Sequence, residues 1–170
     1  MKLANLSGKT IAIMVASGFD ETGFISIQRA MMQAGAKLRI ISREAGLTNA
    51  WNGSGWGMSY PVDSTLSTTL AVDYDALIVP SGERHITTLS DEVHAKRILR
   101  AFLREDMPVL LIDDAIRILD IVEMAHPEFA ADETTTREGN LVVAKQDAVL
   151  SGLEMLNGVL LDYQDESRAA

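Results

Sequence analysis

The chain has 170 residues, 47% of them hydrophobic, and its 15 basic and 24 acidic residues give a formal net charge of −9. This length suffices for one domain with a sizeable core, so we expect a single domain over residues 1–170. The negative charge argues against binding to nucleic acid or to an anionic membrane surface, and no apolar run approaches the roughly 20 residues that cross a bilayer. Because the sequence contains no cysteine, disulfides, thiolate metal sites and thiol nucleophiles are excluded.

The first predicted elements are two buried strands separated by an amphipathic helix. Residues 10–16 are a short apolar run typical of a strand buried on both faces, and Lys37–Ser42 resumes that strand character. Between them, apolar residues recur at helical spacing over Glu21–Ala34, and Gly35 follows as a typical helix stop. Residues 44–62 are rich in Gly, Asn, Ser and Trp, which predicts a hairpin or another ordered excursion.

The rest of the chain continues this alternation. In order, we predict a strand in residues 74–82 that ends in a tight turn, a helix at 91–105, a strand at 108–112, a helix at 115–124, a strand at Leu141–Ala144 and a helix at 148–156. The strands that begin near residues 10, 37, 76 and 108 are expected to be parallel neighbours. The alternation predicts a three-layer α/β sandwich with a mostly parallel central sheet.

Several short motifs lie in and beside these elements. They fall within residues 11–21, 51–82 and 108–119 and include Ala16-Ser17-Gly18-Phe19-Asp20-Glu21, Trp51-Asn52-Gly53, Pro61-Val62-Asp63, Tyr74-Asp75-Ala76-Leu77 and Pro80-Ser81-Gly82. In this order the motifs resemble the ThiJ/PfpI superfamily, which is class I glutamine amidotransferase-like. The resemblance implies a flavodoxin-like fold and a homodimer, and closed two-fold dimers are also the commonest soluble assembly.

The positions that the resemblance makes catalytic are changed in this chain. Family members carry a cysteine, a histidine and a glycine where a buried strand meets the next helix, and this chain has Asp113, Asp114 and Ala115 there. The family's acidic partner of the cysteine falls on Gly23. The chain therefore resembles the type that lacks the catalytic cysteine, similar to the C-terminal domain of large-subunit catalases in the strand Asp75-Ala76-Leu77-Ile78-Val79-Pro80.

Asp113 and Asp114 are the first candidate site residues, because they follow a buried strand where open α/β sheets bind ligands. The favoured interpretation is structural: one carboxylate caps the following helix, which would depress its pKa. An aspartate nucleophile is the catalytic alternative, and it requires a nearby base. A paired-carboxylate cation site is a third interpretation, for which two ligands are weak support.

His85 is the third candidate, on the segment after Pro80-Ser81-Gly82. We interpret it as an ordinary loop histidine, and the alternative is an acid or base that works with Asp113 or Asp114. His94 and His126 are interpreted as surface residues, and no histidine pair has metal-ligand spacing. We therefore assign no metal and no cofactor.

Three aromatic residues, Trp51, Trp56 and Tyr60, lie in the Gly-rich excursion. Such residues more often anchor a segment to the sheet edge or to a partner than line a ligand pocket.

These observations lead to one functional hypothesis and one alternative. The hypothesis is a non-catalytic ThiJ/PfpI-like protein that acts as a homodimeric binding, structural or stress-related module and takes a small-molecule ligand. The alternative is a hydrolase that acts on a small substrate through Asp113, Asp114 and His85. The first nine residues lack the apolar stretch of a signal peptide, so we expect a cytoplasmic protein.

Overall fold

A seven-stranded sheet lies at the centre of the fold in the computed structural model, which describes residues 3–169 and the side chains of residues 3–163. The strands of both sheets are β1 (Thr10–Val15), β2 (Phe19–Asp20), β3 (Lys37–Ser42), β4 (Leu47–Trp51), β5 (Trp56–Pro61), β6 (Ser64–Thr65), β7 (Ala76–Val79), β8 (Val109–Ile112), β9 (Thr135–Glu138) and β10 (Leu141–Ala144). The central order is β6-β3-β1-β7-β8-β10-β9, with only β9 antiparallel to its neighbour. The predicted parallel arrangement of β3, β1, β7 and β8 is thus confirmed.

Helices cover both faces of this sheet. They are α1 (Glu21–Ala34), α2 (Glu83–Ser90), α3 (Val93–Arg104) and α4 (Val149–Ala169), with 3-10 helices at Leu66–Thr68, Ala71–Asp73, Asp113–Val122 and Gln146–Ala148. Alternate residues of β1 separate two cores: Ile11 and Ile13 pack in the core that contains residues of α1 and α4, whereas Ala12 and Met14 pack in the core on the side of α2 and α3. No helix within residues 3–169 is both long enough and apolar enough to cross a bilayer.

The ends of α1 show how local sequence fixes an element. Asp20 precedes the helix, and its carboxylate accepts a 2.8 Å hydrogen bond from the Gly23 N–H group, as a helix cap does. Gly35 ends the helix at φ 84°, a left-handed conformation that glycine adopts without steric cost. The predicted helix bounds are therefore confirmed at both ends.

The Gly-rich excursion is a hairpin, as predicted. Strands β4 and β5 pair antiparallel, and β2 joins them to form a separate three-stranded sheet. Tyr60 anchors the hairpin, because its ring lies 4.6 Å from that of Phe24 and 6.0 Å from that of Phe19.

Two predicted segments differ in the structure. Residues 83–90, expected as a loop, form α2; the segment is short, and only Ile86 and Leu89 give it a buried apolar face. The helix expected at residues 115–124 is a 3-10 helix that begins earlier, at Asp113. The 3-10 helix follows β8 directly, and α2 follows β7 after the turn Pro80-Ser81-Gly82.

Candidate functional site

A cavity of about 450 Å³ opens at the carboxyl end of the central sheet. The segments that follow β1, β7, β8 and β10 meet there, as expected for ligand sites of open α/β sheets. Its volume lies within the usual range of small-molecule sites. Its walls are formed by Gly18, Asp20, Trp51, Ser81, Gly82, Glu83, Arg84, Asp113, Asp114 and Gln146.

Two glycines bring the first two of these segments into contact. Gly82 has φ 137°, and a Cβ atom there would lie 2.5 Å from the carbonyl oxygen of Gly18. Gly18 has φ 105°, and its Cβ would lie 2.6 Å from the Cβ of Arg84. The wall of the cavity between β1 and β7 therefore depends on residues without side chains.

Asp113 occupies the sharp turn between β8 and the 3-10 helix. Its φ is 51°, an uncommon left-handed conformation for a residue other than glycine, and its side chain is exposed at the cavity. Ile112 holds the N-cap position of that helix, and no side chain caps it. The interpretation of Asp113 or Asp114 as the cap of their own helix is therefore wrong, because the helix begins at Asp113 and neither aspartate precedes it.

Asp114 instead supports the neighbouring turn. Its Oδ1 atom accepts a 3.0 Å hydrogen bond from the N–H group of Gly82, the N-cap residue of α2. Burial raises the pKa of Asp114, the hydrogen bond from Gly82 lowers it by a smaller amount, and the nearby charges of Asp113 and Glu83 add to the rise. For Asp114 the expected depressed pKa is thus wrong, because desolvation outweighs the hydrogen bond.

His85 does not face the cavity. It lies in α2 and is fully buried, with Nδ1 accepting a 3.1 Å hydrogen bond from the Ala16 N–H group and Nε2 donating a 2.6 Å bond to the Pro80 carbonyl oxygen. Burial lowers the pKa of His85 to about 4. The interpretation of His85 as a loop residue is wrong, and the structure does not place it beside Asp113 or Asp114 as an acid or base. Instead, it joins β1 to the turn after β7.

Gln146 is a site residue that the sequence analysis did not single out. Its Nε2 donates a 2.7 Å hydrogen bond to Oδ2 of Asp20, and its Oε1 accepts one from the Ser81 hydroxyl. Asp20 and Ser81 are also linked by a 2.8 Å backbone hydrogen bond. One signal was available: Gln146 closely follows β10, as Asp113 follows β8, and the carboxyl ends of parallel strands share one edge of the sheet.

An aromatic corner closes the cavity on the hairpin side. The guanidinium carbon of Arg84 lies 4.8 Å from the ring centre of Trp51 and 5.7 Å from that of Trp56. The two indole rings meet edge to face at 5.4 Å. Trp51 therefore lines the cavity, contrary to the favoured interpretation, whereas Tyr60 is an anchor as expected.

The charges of the cavity are strongly unequal. Four carboxylates line it, those of Asp20, Glu83, Asp113 and Asp114, against the single guanidinium of Arg84. Within the part of the chain that the structure describes, these carboxylates do not form a cluster able to hold a metal ion. The arrangement can attract cationic groups and accept hydrogen bonds from them.

Two curated proteins have sequences similar to this chain. Catalase HPII of Mycobacterium avium is 31% identical over 104 residues, which are 61% of this chain and 14% of the catalase. General stress protein 18 of Bacillus subtilis is 27% identical over 105 residues, 62% of this chain and 59% of that protein. The matched segment thus spans less than two thirds of either relative.

Solved structures share the fold over nearly the whole chain. A ThiJ/PfpI domain protein from Brachyspira murdochii has a TM-score of 0.76 at 18% identity, with 92% of this chain and 98% of that one covered. A mutant of a DJ-1 superfamily protein from Salmonella typhimurium has a TM-score of 0.74 at 20% identity, with 91% of both chains covered. These likenesses confirm the flavodoxin-like α/β fold. The model of the DJ-1/PfpI family matches residues 9–121, and the chain belongs to that family.

Proposed function

We propose that this protein is a non-catalytic DJ-1/PfpI module of the cytoplasm that binds a small cationic molecule in the cavity at the end of the sheet. The observation that carries the proposal is the wall of four carboxylates against one guanidinium. The similarity to general stress protein 18 supports a stress-related role.

The choice of a cationic ligand follows from the charges of the cavity and from the contacts that its side chains already make. Arg84 stacks on Trp51, so the cation–π face of that ring is already used. Asp113 presents an exposed carboxylate, and the pKa of Asp114 is raised by burial and by its acidic neighbours, so the hydrogen bond from Gly82 compensates its charged form only in part. A bound ammonium group would supply that compensation, whereas an anion would meet repulsion from most of the wall.

The non-catalytic part of the proposal rests on the missing reactive groups. The sequence contains no cysteine, and a carboxylate nucleophile would still need a base to activate water for the second step. Both ring nitrogens of His85 are already hydrogen-bonded to backbone groups, the Ala16 N–H group and the Pro80 carbonyl. The hydrolase alternative therefore lacks its base in this arrangement.

The first prediction tests the ligand class with putrescine as the probe. Putrescine should raise the melting temperature of the wild-type protein, and Asp113→Asn should weaken its affinity about two- to fivefold, as expected for the loss of one exposed charge partner. Asp91→Asn is the matched control, since Asp91 is exposed at the end of α2 outside the cavity. The measurement is a thermal-shift titration at low ionic strength.

Three outcomes would contradict the proposal. Stabilisation by succinate in place of putrescine would exclude the cationic class. An equal loss of affinity in Asp91→Asn and Asp113→Asn would show that the ligand does not bind in the cavity. Turnover of methylglyoxal or of a peptide by the purified protein that disappears in Asp113→Asn would show an enzyme.

The proposed assembly is a homodimer, supported by apolar side chains that remain exposed on the hairpin. Leu47 is 59% exposed, Trp56 54% and Met58 66%. Sedimentation at micromolar concentration should give the dimer mass, and Met58→Asp should shift it to the monomer mass because a carboxylate is costly in an apolar interface. Val72→Asp, at an 80% exposed position away from the hairpin, should leave the dimer intact. A monomer mass for the wild type would contradict the assembly.

A further inference from the structure

A second cavity of about 230 Å³ lies next to the first, on the other side of Gln146. It is formed where α1 and α4 begin. Its polar walls include the hydroxyl groups of Thr22, Ser26 and Ser151 and the carboxylate of Asp147. Among the described residues, Gln146 alone lines both cavities. Gln146 therefore lies at the partition between the two cavities.

Hydrogen bonds rather than burial hold this partition in place. The Gln146 side chain is bonded to Asp20 on one side and to Ser81 on the other, and the residue is exposed. Asp20 is itself fixed, since the same Oδ2 atom accepts the Gly23 N–H group at the start of α1. Removal of the Gln146 side chain would thus widen the passage between the cavities, while Asp20 would stay anchored to Gly23, a residue of the second cavity.

The second cavity offers hydrogen-bond acceptors to an ammonium group, against the partial positive charge of the N-terminal ends of α1 and α4. Hydroxyl and carboxylate oxygens accept hydrogen bonds from an ammonium group, and Asp147 adds a further negative charge. A linear amine that extends past Gln146 would therefore find acceptors for a second or third ammonium group. A short diamine would be satisfied within the first cavity.

We propose that Gln146 determines the length of the cationic ligand that this site accepts. The inference rests on the proposed function, because it assumes that the first cavity binds amines. With Gln146 in place the ligand is confined to the first cavity, and without the Gln146 side chain the ligand also extends into the second cavity.

The test compares putrescine with spermine, a longer linear amine, by calorimetric or thermal-shift titration. The wild-type protein should bind putrescine at least as tightly as spermine. In Gln146→Ala the ratio of spermine affinity to putrescine affinity should rise about tenfold, which corresponds to roughly 1.4 kcal/mol. Spermine carries more charge than putrescine, so 1,12-diaminododecane, a long diamine with the charge of putrescine, is titrated as well. A rise in its affinity relative to putrescine cannot come from a general gain in negative potential.

Two further variants complete the experiment. Gln28→Ala removes a glutamine side chain from a half-buried position of α1 outside both cavities, and it should leave the ratio unchanged. Gln146→Ser gives the same comparison as Gln146→Ala with a polar side chain too short to reach both partners. An unchanged ratio in both Gln146 variants would overturn the inference and leave amine binding intact. If neither amine binds the wild-type protein, the proposed function and the inference both fail.

Discussion

Gly82→Ala should destabilise the protein by about 3 kcal/mol or more, because two costs coincide at this position. Its φ of 137° is one that residues with a Cβ rarely adopt. The new Cβ would also lie 2.5 Å from the Gly18 carbonyl oxygen and 2.8 Å from the Cα of Phe19. Both are backbone atoms, so neither can move aside as the end of a flexible side chain would. Urea denaturation at neutral pH gives the free energy of unfolding directly.

Gly46→Ala is the matched control for this prediction. Gly46 also has a positive φ, of 89°, but a Cβ there would meet nothing within 4 Å. It should therefore show only the backbone cost, about 1 kcal/mol. If Gly82→Ala were no more destabilising than Gly46→Ala, the contact between the turns at Gly18 and Gly82 would contribute nothing to stability. The cavity wall would then depend on other contacts.

The sequence determines the strands and the first helix well because their signals are local. The apolar runs of β1, β3, β7 and β8 are short and bounded by polar or turn residues, so their extent is visible without knowledge of the fold. The start of α1 is equally local, since Asp20 caps a helix that ends at Gly35. The hairpin could be predicted from its turn residues for the same reason.

The structure of the site could not be predicted from the sequence, because it depends on contacts between distant segments. Asp114 was expected to act on its own helix, but its hydrogen bond partner is Gly82, which lies 32 positions earlier in the chain. Gln146 contacts Asp20 across 126 positions. A local sequence pattern contains no information about such pairs of distant residues. What the sequence does contain is the position of Asp113 and Gln146 close behind the ends of β8 and β10, which predicts that both lie at one edge of the sheet.

The same dependence on distant contacts explains why His85 was misjudged. A histidine after a Pro-Ser-Gly turn has no local feature that distinguishes a solvent-exposed base from a buried structural residue. In the fold its ring lies 6.3 Å from that of Phe19 and bonds to backbone groups of two central strand ends. Its role is therefore to hold the turn that shapes the cavity, which makes it a positioning residue whose effect appears first in stability.

The protein should lose roughly 3 kcal/mol of stability through His85 alone as the pH falls from about 6.5 to about 4. Burial lowers the pKa of the folded-state imidazole to about 4 from an ordinary value of 6.5. Between these values the unfolded chain binds a proton that the folded protein does not, so the contribution is complete above pH 6.5 and decreases as the pH approaches 4. Urea denaturation at a series of pH values measures this loss.

The titration of Asp114 changes the stability in the opposite direction, so its contribution must be separated from that of His85. Its pKa is raised in the fold, so its contribution to stability is present at low pH and is lost as the pH rises through the folded-state value. The contribution of Asp114 cancels in the difference between the wild-type and His85→Gln stability curves, since both proteins contain Asp114. His85→Gln should show a shallower loss of stability below pH 6.5 than the wild-type protein.

His85→Ala extends the same prediction to neutral pH. It removes the partners of the Ala16 N–H group and the Pro80 carbonyl and leaves a void in a fully buried position, so it should cost about 3–5 kcal/mol. If wild type and His85→Gln instead showed the same pH dependence, the imidazole would be titrating as an accessible group. His85 would then return to the list of acids and bases beside Asp113, and the hydrolase alternative would regain the base that this arrangement denies it.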